Sequence, residues 1–260
     1  MIANYTVLNP TGNITALVTS EVEIEKQPFV ASLIMTKEPS VEQVGFVDLK
    51  NRAMRMAGGE FCGNASMCAA VMCLENKLLK SESTEMFLCV SGAPEKVAVN
   101  IKKEDENSFL CVVSMPKAKS VSNFKFNCKG EEFVLPVVEF DGIYHIINEF
   151  YEKKDLFSKE IKEWCTCLGC DSLGIMNVET EKNKITPLVF VKSPETLVWE
   201  NSCASGTAAA GVYFAQKNKS VFETQFCEPG GVLGVKADVL GNVFIKGTVS
   251  TLKNSETIEY

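Results

Sequence analysis

Two of the eleven cysteines, Cys62 and Cys203, differ from the others in the residues that come directly after them in the chain. Cys62 precedes Gly-Asn-Ala and Cys203 precedes Ala-Ser-Gly-Thr, and each segment then becomes rich in alanine. Alanine favours the helix, and small residues leave the first turn of a helix sterically open. The pattern predicts that each cysteine lies at the start of a helix.

A thiol at a helix start is expected to be more acidic than an ordinary thiol. The first backbone N–H groups have no partner within the helix, and the helix dipole is positive there. In known cases such surroundings lower the thiol pKa from about 8.5 to roughly 3.5–7.5. We therefore expect Cys62 and Cys203 to serve as a general base when ionised and as a general acid when protonated.

Open helix starts also bind carboxylates. Removing a proton from the α-carbon of an amino acid places negative charge on the carboxylate oxygens, and fixed N–H donors stabilise that charge. A second acid must then return a proton to the opposite face. Two thiols that face each other across one α-carbon would meet both needs without a cofactor, which favours racemisation.

A single buried cysteine is more often a plain core residue than a catalytic one. The segments around Cys62 and Cys203, 141 positions apart, weaken that alternative because they can be superimposed as an internal repeat. Such repeats indicate duplicated structural units. We expect residues 1–118 and 119–250 to form two similar halves, each with a sheet wrapped around a central helix. Residues 251–260 form a tail that can return to the first half.

The rest of the chain predicts mostly strands. Short apolar or alternating runs recur, and their β-branched content is typical of strands; they include residues 15–19, 29–34, 44–49, 87–90, 133–138 and 242–247. Helices are predicted from about Gly63 to Leu79, from Ser158 to Leu168 and from Ala204 to Lys217. The first and third are apolar on all sides, as buried helices are. The fold class is therefore α+β.

Composition excludes several classes of function. A net charge of -7 and the absence of a basic run argue against a nucleic-acid partner. No apolar stretch reaches the eighteen or so residues of a membrane-spanning helix. The N-terminus resembles no signal peptide. We therefore expect a cytoplasmic protein with reduced thiols and no membrane partner.

Several segments resemble the diaminopimelate epimerases. Cys62–Cys68 is similar to their Cys-Gly-Asn-Gly-x-Arg-Cys motif, and Ser202–Ala208 to their Ala-Cys-Gly-Thr/Ser-Gly motif. Pro10–Thr15 resembles their Gly-Asn turn, Gly142–His145 their Gly-Asn-Pro-His, and Pro229–Leu233 their Pro-Gly-Gly strand start. The resemblance implies two pseudo-symmetric halves, each a curved, mostly antiparallel sheet around a central helix, with the site in the cleft between them.

Departures from that family narrow the expected substrate. Met67 stands at the Arg position of the first motif, Met56 and Ile143 replace asparagines, and no Glu-Arg-Gly segment precedes Cys203. Such a site matches poorly a substrate with a second zwitterionic centre, such as diaminopimelate.

Two segments, Ala57–Ala65 and Trp199–Ala209, are closer to the cofactor-independent histidine racemases of the same superfamily. This resemblance implies a racemase that needs no pyridoxal phosphate and interconverts L- and D-histidine. A racemase or epimerase of another amino acid, diaminopimelate included, is the alternative. The phenazine-biosynthesis enzymes of the same fold generally lack the cysteine pair.

The resemblance also implies roles for individual residues. Cys62 and Cys203 are the catalytic pair, and the expected substrate contacts are Asn13, Met56, Gly63, Asn64, Asn177, Glu200, Ala204 and Ser205. Glu60 and Glu200 either orient the substrate or are solvated carboxylates favoured by the helix dipole. His145 either supports the site or is a core histidine. We expect no cofactor and no metal. The expected partner is a small-molecule amino acid, and the sequence is compatible with a homodimer.

The segment Cys165-Thr-Cys-Leu-Gly-Cys170 could be taken for a metal site. Zinc sites usually pair two such cysteine groups or add histidines, and the single histidine, His145, is remote in sequence. Trp164 and Cys165 also fit the apolar side of the predicted helix. We interpret the segment as packing, and a thiol-redox or metal-binding protein is the alternative from another class.

Overall fold

A computed structural model describes residues 1–76, 83–193 and 195–260 of the chain. Within them sixteen strands, β1 to β16, span Ile2–Pro10, Thr15–Val18, Gln43–Asp48, Ala53–Met56, Ser83–Val90, Val97–Lys103, Ser108–Ser114, Ser120–Cys128, Glu131–Phe140, Ile143–Asn148, Ser172–Glu179, Lys184–Val191, Thr196–Trp199, Phe222–Glu228, Gly231–Ala237 and Val243–Glu259. Five α-helices, α1 to α5, span Gln27–Lys37, Gly63–Glu75, Lys154–Phe157, Ile161–Leu168 and Ala204–Asn218.

The chain divides into two units. Unit 1 comprises residues 1–114 and 246–260, and unit 2 comprises residues 115–245. Both are built mostly of sheet. No helix of the described residues is both long and apolar enough to cross a membrane.

The strands of unit 1 form a closed barrel of eight. Strands β1 to β7 follow one another in order, and β16 pairs with β7 on one side and β1 on the other. Closure removes the exposed sheet edges that would otherwise pair with another chain. Helix α2 packs against β1, β2, β4, β5, β6 and β7. Its residues Gly63–Cys73 are all buried, so this helix forms the centre of the unit.

In unit 2 the strand order is β15-β14-β12-β11-β10-β9-β8, and β13 adds to β12. Helix α5 packs against β9, β10, β11, β14 and β15, and most of its residues are buried. Gly206 permits this close packing, because a Cβ at that position would overlap the side chain of Met176. The unit therefore also has a buried helix of small residues at its centre.

The two units repeat one succession of strand pairings. In unit 1, β1–β2, β3–β4 and β5–β6 are antiparallel, whereas β2–β3 and β4–β5 are parallel. In unit 2, β9–β10, β11–β12 and β14–β15 are antiparallel, whereas β10–β11 and β12–β14 are parallel. Helices α2 and α5 make the second parallel crossover of their units. This repeat of elements agrees with the internal repeat of the sequence.

One predicted strand, residues 29–34, is wrong: it lies in helix α1. The buried residues of α1 are Gln27, Val30, Ala31 and Ile34, which recur with the helical period. The apolar residues between them gave a continuous run, and a short apolar run does not distinguish a strand from a helix by itself. Pro28, near the first turn, was the signal for a helix start.

The predicted helices at 63–79, 158–168 and 204–217 correspond to α2, α4 and α5, and the second begins at Ile161 rather than at Ser158. Residues 77–79 of the first lie outside the described residues. The short helix α3, which precedes residue 158, was not predicted. Trp164 and Cys165 are buried, as the packing interpretation required, while Cys167 is exposed. Within the described part of the chain, no group of three or more His, Cys, Asp or Glu side chains is arranged to hold a metal ion.

Candidate active site

Cys62 is the N-cap residue of α2, and its own sulfur caps the helix. The Cys62 Sγ accepts a hydrogen bond from the Ala65 N–H at 3.4 Å. The Cys62 carbonyl accepts from the Ser66 N–H at 3.0 Å and from the Ser66 hydroxyl at 2.7 Å. Cys62 is only partly buried, so its sulfur is both held by the helix start and accessible.

A polar network joins Cys62 to Asn13 through Gln43. The Cys62 Sγ lies 3.2 Å from the Gln43 Oε1. The amide nitrogen of Gln43 donates to Asn13 Oδ1 and, at 2.8 Å, to Thr15 Oγ1. Asn13 in turn donates to the Glu42 carboxylate at 2.7 Å. The structure thus brings two predicted site residues together through Gln43, which sequence reasoning missed. The signal was a polar pair, Glu42-Gln43, immediately before the apolar strand β3.

The other candidates of unit 1 lie close to α2 in the chain. Gly63 and Asn64 are the first helical residues, and both are buried. Met56 ends β4 and is buried, and its N–H donates to the Ser91 hydroxyl at 3.0 Å. The same hydroxyl donates to the Glu60 carbonyl at 2.8 Å. Ser91 therefore links the end of β4 to the segment that leads into α2. The substrate contacts at Met56, Gly63 and Asn64 stay predictions.

Cys203 is the N-cap residue of α5 and is only 6% exposed. Its Sγ lies 3.6 Å from the Ser205 Oγ, which lies 3.1 Å from the His145 Nε2. Burial lowers the pKa of His145 to about 3, so its ring is neutral near pH 7. Gly174, its partner on β11, leaves room for the ring, since a Cβ there would overlap the imidazole. His145 is thus a buried residue that also reaches the Cys203 thiol through Ser205.

Glu228, at the end of β14, is a buried carboxyl group at the start of α5. Its Oε2 accepts the Cys203 N–H at 2.7 Å, and its Oε1 accepts the Thr207 hydroxyl. Burial raises the pKa of Glu228 to about 8, and the charge of Glu200 adds to this rise, while its two hydrogen bonds oppose it. Sequence reasoning missed Glu228, although it directly precedes the Pro-Gly-Gly segment that resembled a known family.

The surroundings of Cys203 do not produce the acidic thiol that the helix start predicted. Burial, and then the charges of Glu200 and Glu228, raise the pKa of the Cys203 thiol well above its ordinary value, while the bond to Ser205 opposes the rise. Desolvation and two neighbouring carboxylates therefore act against the acidity that a helix start favours. Without substrate Cys203 is a protonated thiol, suited to the role of general acid.

The remaining candidates of unit 2 differ in their positions and in the hydrogen bonds that they already make. Ala204 and Ser205 are the first residues of α5, and Glu200 follows β13 with its N–H bonded to the Pro187 carbonyl at 3.1 Å. Asn177 is fully buried in β11, where its amide accepts from Asn148 at 2.7 Å and donates to the Thr186 carbonyl at 2.9 Å. The Asn177 amide is thus engaged by neighbouring strands, and its predicted contact with substrate remains a prediction.

Replacing Glu228 by glutamine is expected to change how stability depends on pH. The raised pKa of about 8 means that the wild-type protein loses stability as pH rises from about 4.5 to about 8, because in this range the carboxyl ionises in the unfolded chain but stays protonated in the folded protein. By linkage this loss is on the order of 4 kcal/mol, and Glu228→Gln is free of it. Urea unfolding at pH 5 and pH 8.5 measures it, with Glu223→Gln, an exposed carboxylate of the same strand, as the control. An advantage of Glu228→Gln over the wild type that is equal at both pH values would contradict the expectation.

Comparison with known proteins identifies the relatives of this chain. The sequence profile of the histidine racemase CntK N-terminal domain matches residues 3–255. A histidine racemase of Fusobacterium nucleatum subsp. nucleatum is 32% identical over 241 residues, which cover 89% of this chain and 88% of the relative. A histidine racemase of Staphylococcus aureus is 28% identical, with 96% of each chain covered.

A solved structure of a probable proline racemase from Agrobacterium radiobacter K84 is similar in fold. Its TM-score is 0.68 at 12% identity, with 99% of this chain and 92% of that chain covered. At that identity the likeness shows the fold alone, and the narrower likeness to the diaminopimelate epimerase fold stays a prediction.

The family profile and the relatives define an isomerase that acts on amino acids. More narrowly, the chain belongs to the CntK histidine racemase family.

Proposed function

We propose that this protein is a histidine racemase that works without pyridoxal phosphate and inverts the α-carbon with two thiols. The observation that carries the proposal is the position of Cys62 and Cys203, each the N-cap of the central helix of its unit. The names of its relatives support histidine as the substrate. The narrower fold-family expectation, a cleft of the diaminopimelate epimerase type, belongs to the same proposal.

In the proposed reaction one thiolate removes the α-proton and the other thiol delivers its proton to the opposite face. Cys203 rests protonated and acts as the acid towards one enantiomer, with Cys62 as the base. Each turnover exchanges the protons of the two thiols, so towards the other enantiomer Cys203 is the base and Cys62 the acid. The N–H groups at the starts of α2 and α5 bind the substrate carboxylate and stabilise the charge that develops on it. Glu60 and Glu200, which directly precede the two motifs, suit a substrate that carries positive charge on its amino group.

The test is incubation of the protein with L-histidine in deuterated water. We expect D-histidine that carries deuterium at the α-carbon, detected by chiral chromatography and mass spectrometry. Pretreating the protein with hydroxylamine, which reacts with pyridoxal phosphate, should leave the rate unchanged. A panel of other L-amino acids, diaminopimelate included, is the control for substrate choice. If neither histidine nor any member of the panel exchanges its α-proton, the racemase proposal fails.

A further inference from the structure

The carboxyl group of Glu228 clamps the residues that lead into α5. Its Oε2 accepts the Cys203 N–H at 2.7 Å, and two residues further along its own segment the Gly230 N–H donates to the Asn201 carbonyl at 2.7 Å. The Thr207 hydroxyl, one turn into the helix, donates to the other carboxyl oxygen. Contacts from the Glu228 segment therefore fix the backbone around Cys203 where the loop ends and α5 begins.

The two N-cap cysteines meet different groups although their positions in the two units correspond. In unit 1 the Cys62 sulfur itself accepts a helix N–H, that of Ala65. In unit 2 the described residues show no such bond to the Cys203 sulfur, and the Cys203 backbone N–H goes to Glu228 instead. A buried carboxyl group thus takes part in capping α5 beside the thiol, where negative charge is favoured by the helix dipole.

We propose that Glu228 is a positioning residue for Cys203, which fixes the start of α5 and makes ionisation of the Cys203 thiol depend on whether the Glu228 carboxyl is itself protonated. This inference rests on the proposed function only in assigning Cys203 as the proton donor.

The physical argument concerns two neighbouring acids that share one buried space. Glu228, with a pKa raised to about 8 by burial, is neutral below that pH and negative above it. A negative Glu228 raises the pKa of the Cys203 thiol, as Glu200 also does. Ser205 joins the thiol to the neutral His145 ring. Above pH 8, where Glu228 is ionised, the Cys203 thiol is therefore harder to ionise than it would be beside a neutral Glu228.

The experiment follows alkylation of Cys203 by iodoacetamide in the full-length protein between pH 6.5 and 9.5, read by mass spectrometry of its peptide. Only the thiolate reacts, so the rate reports the ionised fraction. In Glu228→Gln, which keeps a hydrogen-bond acceptor but cannot ionise, we expect the wild-type rate at pH 7. At pH 9 we expect a rate about tenfold higher than that of the wild type, as a pKa difference of about one unit gives.

Two controls separate this effect from loosening of the fold. Cys128 is buried in the core of the same unit, so its alkylation reports unfolding. Glu223→Gln removes an exposed carboxylate from the same strand and should leave Cys203 unchanged at every pH. A structural role alone would speed Cys203 alkylation equally at all pH values.

The ratio of the two Cys203 rates, Glu228→Gln over wild type, decides the outcome. A ratio that rises from about one at pH 7 to about ten at pH 9, with Cys128 unaffected, supports the proposal. A ratio that does not change with pH overturns it. If the alkylation of Cys128 is also faster in Glu228→Gln, the variant Thr207→Val provides the test instead. Loss of the Thr207 hydroxyl bond raises the pKa of Glu228. The change of slope that the wild-type Cys203 rate shows near pH 8 must then move to higher pH. A change of slope that does not move overturns the proposal. Because no substrate is present, failure here leaves the racemase proposal standing.

Discussion

Replacing Cys62 or Cys203 by serine is expected to slow histidine racemisation by about 10²- to 10⁴-fold, the range that a positioned acid or base contributes. A serine hydroxyl has nearly the same size but does not ionise near neutral pH, so it neither takes nor gives the α-proton at a useful rate. Conversion of L- to D-histidine by each purified variant, followed by chiral chromatography, measures the loss.

The two serine variants are also expected to differ from each other in deuterated water. Each variant retains one thiol, which can remove and return a proton on one face of the α-carbon. Cys62→Ser should therefore exchange the α-proton of one histidine enantiomer, and Cys203→Ser that of the other, without inversion. Cys89→Ser and Cys227→Ser, at exposed thiols of units 1 and 2, should keep the wild-type rate. A double variant of Cys62 and Cys203 that still racemises would end the two-thiol proposal.

The features that could be predicted from the sequence are local. Cys62 and Cys203 were found because a cysteine, a few small residues and an alanine-rich helix are contiguous in the chain, and the positions of α2 and α5 came from the same segments. The repeat of strand pairings in the two units agrees with that alignment. Helix α1 was missed because its buried face was hidden in a continuous apolar run.

The groups that surround the thiols could not be predicted in this way, because folding brings them from elsewhere in the chain. Gln43 lies 19 positions before Cys62, and Glu228 lies 25 positions after Cys203. The protonation of Cys203 depends on such groups and on burial rather than on the helix start alone. The helix-start rule therefore located the thiol correctly and predicted the wrong direction for its pKa.

Gly92 controls the segment that carries Cys62 into α2, and Gly92→Ala is expected to be damaging. Gly92 follows β5 with a φ of 71°, in the left-handed region that favours glycine. A Cβ there would overlap the Phe61 backbone nitrogen and lie 2.8 Å from the Glu60 carbonyl carbon. Backbone atoms cannot rotate away as a side chain can. The segment between β4 and Cys62, which Ser91 also holds, must therefore move.

We expect Gly92→Ala to lower the free energy of unfolding by about 2–4 kcal/mol, the sum of a strained φ and a steric overlap. A displacement of about 1 Å at Cys62 would also reduce kcat by about 10²-fold. The matched control is Gly169→Ala, at a φ of 68° with no described atom within 4 Å of the new Cβ. That variant reports the cost of the backbone conformation alone, about 1 kcal/mol. If the two variants lose equal stability in urea unfolding and both keep full activity, the packing of Gly92 against the Cys62 segment has no part in holding the thiol.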